Sequence, residues 1–382
     1  MTKHPTTIEM LELLISSPSI SSTHAHIDSS NLPVINLLAE WLDAYGFNVE
    51  IAPLPNNSNK ANLIAKLGDG EDGLVLSGHT DTVPYDDQLW SVDPFHFTQK
   101  ENRFYGLGSS DMKSFFALVI DAVSKTNINK LKKPLTILAT ADEESTMAGA
   151  KALLADRSKL GEYCVIGEPT NLKPVRQHKG IFMDSIHLTG RSGHSSDPAL
   201  GNNALEGMHE IIQAMLRYRD ALGSQFKNNE FAVPTPTLNL GHIHGGDNPN
   251  RICGQCELHY DLRTLPDMKI DTIRSNLHDI IKEIANKRNL LCEFSSIFDG
   301  TPALSTPEHS HIVTVTEGLT GSKSQSVVFA TEGPYFSQMG METVVLGPGS
   351  IDVAHQPDEY IEADQLHQAV DLYKNIIEKI CL

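Results

Sequence analysis

Histidines and carboxylates recur at the ends of short apolar runs in this 382-residue chain, a pattern that can assemble a metal site. The first instance is Ser77-Gly78-His79-Thr80-Asp81-Thr82-Val83-Pro84, directly after Leu74-Val75-Leu76. A strand ending this way presents His79 and Asp81 at the carboxyl edge of a sheet, where α/β enzymes place their sites. Two residues apart, they project from the same side of an extended chain. Asp81 is then expected to accept the second ring N–H of His79, fixing its tautomer as a ligand. A polar turn after a strand is the alternative reading.

The second segment, Tyr105-Gly106-Leu107-Gly108-Ser109-Ser110-Asp111-Met112-Lys113, invites comparison with nucleotide loops. It lacks the third glycine of the dinucleotide fingerprint and the Gly-Lys-Ser/Thr ending of a P-loop. A tight approach that sets Asp111 at the start of a helix is the better reading, and a carboxylate there can bridge two cations. The third, Ala139-Thr140-Ala141-Asp142-Glu143-Glu144-Ser145, follows another apolar run. Adjacent glutamates on a strand face opposite ways, so a shared site requires both to sit past its end. One can then bind metal while its neighbour stays free as a base. The competing reading is an acidic helix start capped by Ser145.

Gly167-Glu168-Pro169-Thr170 and Ala354-His355-Gln356-Pro357-Asp358-Glu359 complete the set. His79, Asp111, Glu144, Glu168 and His355 make two histidines and three carboxylates, a mixture suited to a pair of zinc-like ions. Two-metal hydrolase sites hold their ions about 3.5–4 Å apart, a spacing that a bridging Asp111 can set.

The elements that must position these residues follow from periodicity. Leu32 to Tyr45 carries apolar residues at helical spacing, with Gly46 as a C-cap. Apolar runs at 62–65, 74–76, 135–138 and 163–166 read as buried strands, and helical patterns at 112–123 and 146–154 separate them. That alternation predicts an α/β sheet, parallel at least in part. The middle of the chain differs. Runs at 184–188, 237–241 and 257–262 alternate polar and apolar residues, as in an antiparallel sheet with one face in solvent. Helical patterns at 203–222 and 270–285, and a strand near 291–297, complete a four-strand, two-helix sandwich. After Pro302 the α/β character returns, with a strand at 343–346 and a closing helix at 363–380. The expected division is therefore 1–182 and 299–382 for one domain, with 183–298 inserted.

Composition narrows the function. The chain holds 30 basic and 48 acidic residues, a formal charge of −18. The basic residues are scattered, which argues against a nucleic acid or anionic membrane as partner. No apolar run approaches the roughly 20 residues that span a bilayer. The start, Met1-Thr2-Lys3-His4-Pro5, has no long apolar h-region. Five cysteines, few and odd in number, do not suggest a disulfide framework. A cytoplasmic protein is expected.

Taken together and in this order, the five segments resemble the two-zinc peptidase and deacylase family, which includes succinyl-diaminopimelate desuccinylase and aminoacylase. The match extends over nearly the whole chain. Within the family, Leu135 to Glu143, Ile166 to Arg176, Gly193 to Pro198, Pro236 to Asp247 and Leu346 to Tyr360 are most similar to members that deacetylate N2-acetyl-L-ornithine. The segment around Asp111 departs from the pattern, with Ser110 and Ser114 where Ala and Gly are common, but both positions stay small.

The resemblance implies an α/β fold: a mixed-sheet zinc-peptidase catalytic domain with an inserted α+β sandwich, ferredoxin-like, that serves as dimerisation and lid domain. It implies two zinc ions per subunit, with cobalt able to substitute. His79 and Glu168 bind one, Glu144 and His355 the other, and Asp111 bridges them. Asp81 orients His79, and Glu143 is the general base. His194 is implied as an oxyanion stabiliser reaching the partner subunit's site in a homodimer. Asn250 and Arg263 are implied contacts to a substrate carboxylate. The substrate is then an N-acyl amino acid, N2-acetyl-L-ornithine first, with a related deacylase or peptidase activity as the alternative. A non-catalytic metal-binding scaffold is the remote one.

Three other features carry no assigned chemistry. Cys253-Gly254-Gln255-Cys256 has no second cysteine pair at zinc-ribbon spacing and reads as packing. No Gly-x-Ser-x-Gly elbow exists to supply a serine nucleophile. His242 and His244 share one side of a strand and could bind metal, though a role in the lid or in dimer contacts is the plainer reading.

Overall fold

The strands Leu74–His79, Leu135–Thr140 and Tyr163–Pro169 are buried at every position. Only a sheet covered on both faces tolerates such continuous apolar runs. In the computed structural model, which describes residues 5–156 and 159–382, these strands lie side by side and parallel. Glu342–Gly347 extends the parallel set beyond Tyr163–Pro169. On the other side Asn57–Leu67 and Asn48–Leu54 add antiparallel neighbours, making the sheet mixed. Met1 to His4, read above for a leader, lie outside the described residues.

Register decides where the chemistry goes. His79 stands opposite Thr140, and Ser77 opposite Ile166. Parallel strands in this register end together, so the residues at or just past those ends meet at one edge of the sheet. Helix Lys113–Ser124 is buried at ten of its twelve positions, an all-round apolar helix sandwiched within the core. Helix Ala363–Cys381 buries a stripe that includes Leu366, Ala369, Val370, Tyr373, Ile376, Ile377 and Ile380, at helical spacing. Its Tyr373 hydroxyl donates to the Leu346 carbonyl at 3.1 Å. Helix Thr7–Ile15 opens with a reciprocal capping box between Thr6 and Glu9.

The chain divides into two units. The first comprises the residues through Arg176 together with Thr306–Gln325 and Thr331–Leu382. The second comprises Gln177–Ser305 and Ser326–Ala330. The change-over points differ from the expected 182/183 and 298/299, which fall inside the strands Gly180–Thr189 and Leu291–Thr301. Both strands belong whole to one antiparallel ladder, ordered Thr237–Gly245, Gln255–Thr264, Gly180–Thr189, Leu291–Thr301. In Gln255–Thr264 every second residue is buried, which is the period of a half-covered strand. Helices Ala204–Gln225 and Ile270–Lys287 supply the covering side chains. Asn203 caps the first of them, accepting from the amides of Leu205 and Glu206. No helix among the described residues is long and apolar enough to cross a membrane.

One close approach ties this packing to the functional edge. A Cβ on Gly347 would lie 2.0 Å from the carbonyl oxygen of Gly167, beside Glu168 on the neighbouring strand. Overpacking of this kind costs about 1–3 kcal/mol. Gly347→Ala is expected to lower unfolding free energy by about that amount in a urea melt, and an unchanged midpoint would contradict the tight contact.

Candidate metal centre

Each of the five segments delivers its residue to the same place in the first unit. His79 is the last residue of its strand and is fully buried. Glu143 and Glu144 lie past Thr140 in the turn before helix Ala148–Asp156, so the pair does not begin that helix. Glu168 sits inside its strand, which runs through Pro169 rather than stopping at Ile166. Asp111 precedes helix Lys113–Ser124, and His355 lies in the turn before Tyr360–Glu362. Asp142 and His355 both hold left-handed backbone, with φ of 58° and 59°, a conformation disfavoured for residues with a Cβ.

Asp111 is the hinge of the arrangement. Its Oδ1 lies 3.0 Å from His79 Nε2, and its Oδ2 lies 3.5 Å from His355 Nε2. Glu168 Oε1 is 3.7 Å from the same His79 nitrogen. Glu144 Oε2 is 3.0 Å from His355 Nε2. One carboxylate thus faces two imidazoles, each with a second carboxylate beside it. Donor atoms of His79, Asp111 and Glu144 lie within 4.8 Å of one another, as do those of His79, Glu143 and Glu168. Nitrogen and oxygen donors in this ratio fit divalent cations of borderline hardness. Glu143 is close enough to act either as ligand or as base.

The expected role of Asp81 is corrected. His79 Nδ1 meets the Asp81 main-chain oxygen at 3.0 Å, while the nearer carboxylate oxygen is 3.8 Å away. The carboxylate is drawn instead to the Glu144 amide, accepting it at 3.1 Å through Oδ2. Its Oδ1 is buried with no hydrogen-bond partner.

Crowding of buried carboxylates dominates the electrostatics. Burial, reinforced by Glu168, holds the Glu143 carboxyl well above the usual range. Glu168 is pushed up to about 7 by burial and by Asp111. Glu144 is raised for the same two reasons. Asp111 goes the other way. Burial opposes its ionisation, but hydrogen bonds from His355 and His79 hold it well below the ordinary value. Burial would lower His79, yet Glu168 and Asp111 outweigh it and raise it well above normal. His355, bonded to Asp111 and Glu144, is raised to about 11. Two divalent cations would offset the excess negative charge, so the donor set fits them.

Two further buried carboxylates carried no clear signal in the sequence. Glu359 accepts the amides of Ser110, Asp111 and Gly108 at 2.7, 2.9 and 2.9 Å, clamping the loop that carries Asp111. Glu332 accepts from the Thr140 hydroxyl at 2.8 Å, and Thr140 Oγ1 also lies 3.1 Å from the Gly78 carbonyl. Position beside His355 could have pointed to Glu359, but only the fold brings Glu332 to Thr140.

His194, Asn250 and Arg263 belong to the second unit. His194 Nδ1 lies 2.7 Å from Ser196 Oγ, and the Asn250 carbonyl accepts the Ser195 amide at 3.0 Å, so these two loops are neighbours. Arg263 donates through Nε to Asp261 at 3.0 Å. With Lys179, Thr237, Asp261, Val328 and Phe329 it borders a cavity of about 460 Å³. Cys253 and Cys256 are buried and unbridged.

A family model described as Peptidase family M20/M25/M40 matches residues 75–379. A Vibrio cholerae protein named acetylornithine deacetylase is 47% identical over 378 residues, covering 99% of both chains. The fold is similar to a Staphylococcus aureus tripeptidase, with a TM-score of 0.75 at 18% identity over 99% of both chains. A Bacillus subtilis protein described as a dinuclear metal binding peptidase aligns over 98% of both chains, with a TM-score of 0.66 and 15% identity.

Burial raises the Glu332 carboxyl to about 8 from an ordinary 4.5. The folded state therefore binds a proton that the unfolded state releases, and stability falls as pH rises between those two values. In chelator-treated protein, denaturant midpoints should decline from about pH 5 to about pH 8, and Glu332→Gln should make the decline shallower, the remainder coming from the other raised carboxylates. An equal slope in the variant would show that Glu332 does not contribute to it.

Proposed function

The chain belongs to peptidase family M20/M25/M40, and from that premise we propose that it hydrolyses N2-acetyl-L-ornithine to L-ornithine and acetate, a step of arginine biosynthesis. The observation that carries the reading is the 47% identity, end to end, with a protein named acetylornithine deacetylase. The chemistry of the centre supports amide hydrolysis in particular: buried nitrogen and oxygen donors around a carboxylate that faces two histidines, with another carboxylate to spare.

In this reading His79 and Glu168 would hold one zinc, Glu144 and His355 would hold the other, and Asp111 would be shared between them. Cobalt can take the place of zinc, because such sites select partly by availability. Metal bound there would supply Lewis acidity, towards a water whose pKa such ions can bring to about 7 and towards the amide carbonyl. Glu143 takes a proton from the attacking water as its oxygen adds to the acetyl carbon. The C–N bond then breaks while Glu143 returns the proton to the leaving α-nitrogen. Acetate and the free amine depart, and Glu143 is ready again. Its buried setting favours this exchange, since poor solvation makes a carboxylate a stronger base.

Asp81 supports the centre from behind, through its carbonyl to His79 and its carboxylate to Glu144. His194 is assigned to the developing oxyanion of the partner subunit's site, in a homodimer formed through the second unit. Asn250 and Arg263 are assigned to the substrate carboxylate, where the planar guanidinium fork suits two-point binding. Asp261 fixes that guanidinium through its Nε. A biosynthetic role on a small amino acid derivative supports a cytoplasmic location.

Acetate release from N2-acetyl-L-ornithine, measured on zinc- or cobalt-reconstituted protein, tests the assignment. Glu143→Ala should lower kcat by about 10²–10⁴-fold while the metal content of wild type is retained. Faster turnover of succinyl-diaminopimelate than of the acetyl substrate would move the assignment to a related deacylase. An inert, metal-loaded wild type would remove it from catalysis.

A further inference from the structure

A second group of metal-type donors lies in the second unit, on the sheet face that its helices leave uncovered. Leu238 and Leu240 stand opposite Leu262 and Tyr260, and all four pack into the core of that unit. Regular pairing would next set residue 242 opposite Leu258, on the same covered face. The register slips at Gly241 instead, so that His242 stands opposite His259 and His244 opposite Glu257. One extra residue in a strand turns every later side chain to the other face. The bulge thus delivers His242 to the face that already carries Glu257 and His259.

The three side chains converge there. Donor atoms of His242, Glu257 and His259 all lie within 4.8 Å of one another. Glu257 Oε1 is 2.8 Å from His259 Nε2, and the His242 and His259 rings are 4.6 Å apart, tilted by 42°. Cross-strand and next-but-one neighbours on a sheet face are the spacings that let short side chains share one ion. The Glu257 and His259 side chains are 39% and 36% exposed, leaving room for water as a further ligand. His187 stands opposite Glu257 on the adjoining strand and adds a third imidazole to the same face.

We propose that His242, Glu257 and His259 form a metal site in the second unit, taking a borderline divalent cation such as Zn²⁺ through two imidazoles and one carboxylate. Three protein donors with an open position is a coordination that zinc accepts readily. The carboxylate neutralises part of the ion's charge and, through its hydrogen bond to His259, holds that ring in place before the ion arrives. The Gly241 bulge is then a device for aiming His242, which a straight strand would have sent into the core.

The test counts bound metal on the full-length holoenzyme, equilibrated with buffered micromolar free Zn²⁺ and measured by mass spectrometry after desalting. His242→Ala and His259→Gln should each hold one equivalent less than wild type, with acetate release within about twofold of wild type, as for substitutions outside the chemistry. His244→Ala should keep the full count. Equal metal content in wild type and both ligand variants would overturn the site. So would an equal loss in His244→Ala, which would indicate a loose histidine patch. Because the readout is a difference between variants, it stands whatever number of ions the first unit holds.

Discussion

Buried like charges are the constraint on which this molecule turns. Asp81, Asp111, Glu143, Glu144 and Glu168 crowd around His79 and His355, with Glu332 close enough to interact with them. A lone buried charge costs several kcal/mol, so these groups must either stay protonated or face positive charge. The two imidazoles hold Asp111 below its ordinary value, while Glu143, Glu144 and Glu168 are all pushed upward. Such a cluster is unfavourable for a fold left to itself. Divalent cations would turn the same crowding into a reason to fold, because the ligating carboxylates would then have partners.

Holding such groups together requires anchors that do not themselves join the cluster. Glu359 is one, taking three amides of the Gly108–Asp111 loop so that the chain around Asp111 cannot retreat from its neighbours. Lys60 is another. Its ammonium reaches Asp142 at 2.7 Å and Asp28 at 2.9 Å. Burial would lower the lysine, but these carboxylates raise it. Asp142 immediately precedes the Glu143–Glu144 pair and holds left-handed backbone, so the ion pair secures the turn that carries both glutamates. Lys113 plays a related part, donating to the carbonyls of Leu14 and Ser17 at 3.2 and 2.8 Å, although burial lowers it to about 7. Strain at functional turns persists only where the surroundings fix it in this way.

Periodicity made much of the fold legible, and for identifiable reasons. Leu135–Thr140 and Tyr163–Pro169 are continuous apolar runs because both sheet faces are covered, whereas Gln255–Thr264 alternates because one face is open. What escaped were elements whose identity depends on distant partners. Thr98–Lys100, Arg103–Tyr105 and Tyr360–Glu362 are three residues each, too short for any period, yet they form a separate small sheet. The metal-type residues were legible because they recur at strand ends, where an apolar run gives way to histidine or carboxylate. Glu332 was not, since its meaning lies in Thr140, 192 positions away. The Gly241 bulge was equally invisible: the sequence His242-Ile243-His244 states that two histidines share a side, but not which side.

The corrected geometry of Asp81 shows how little chain is needed to couple the two halves of the centre. When His79 Nε2 serves as a ligand, the proton sits on Nδ1 and is donated to the Asp81 carbonyl. A main-chain acceptor is fixed by the backbone alone and costs no side-chain entropy to position. That leaves the carboxylate of the same residue free to take the Glu144 amide. A single residue therefore orients the ring that approaches Asp111 Oδ1 and also anchors the backbone of the glutamate beside His355. Moving Asp81 would disturb both pairs together, on opposite oxygens of the same Asp111. The two halves are consequently linked twice, through the Asp111 carboxylate in front and through Asp81 behind.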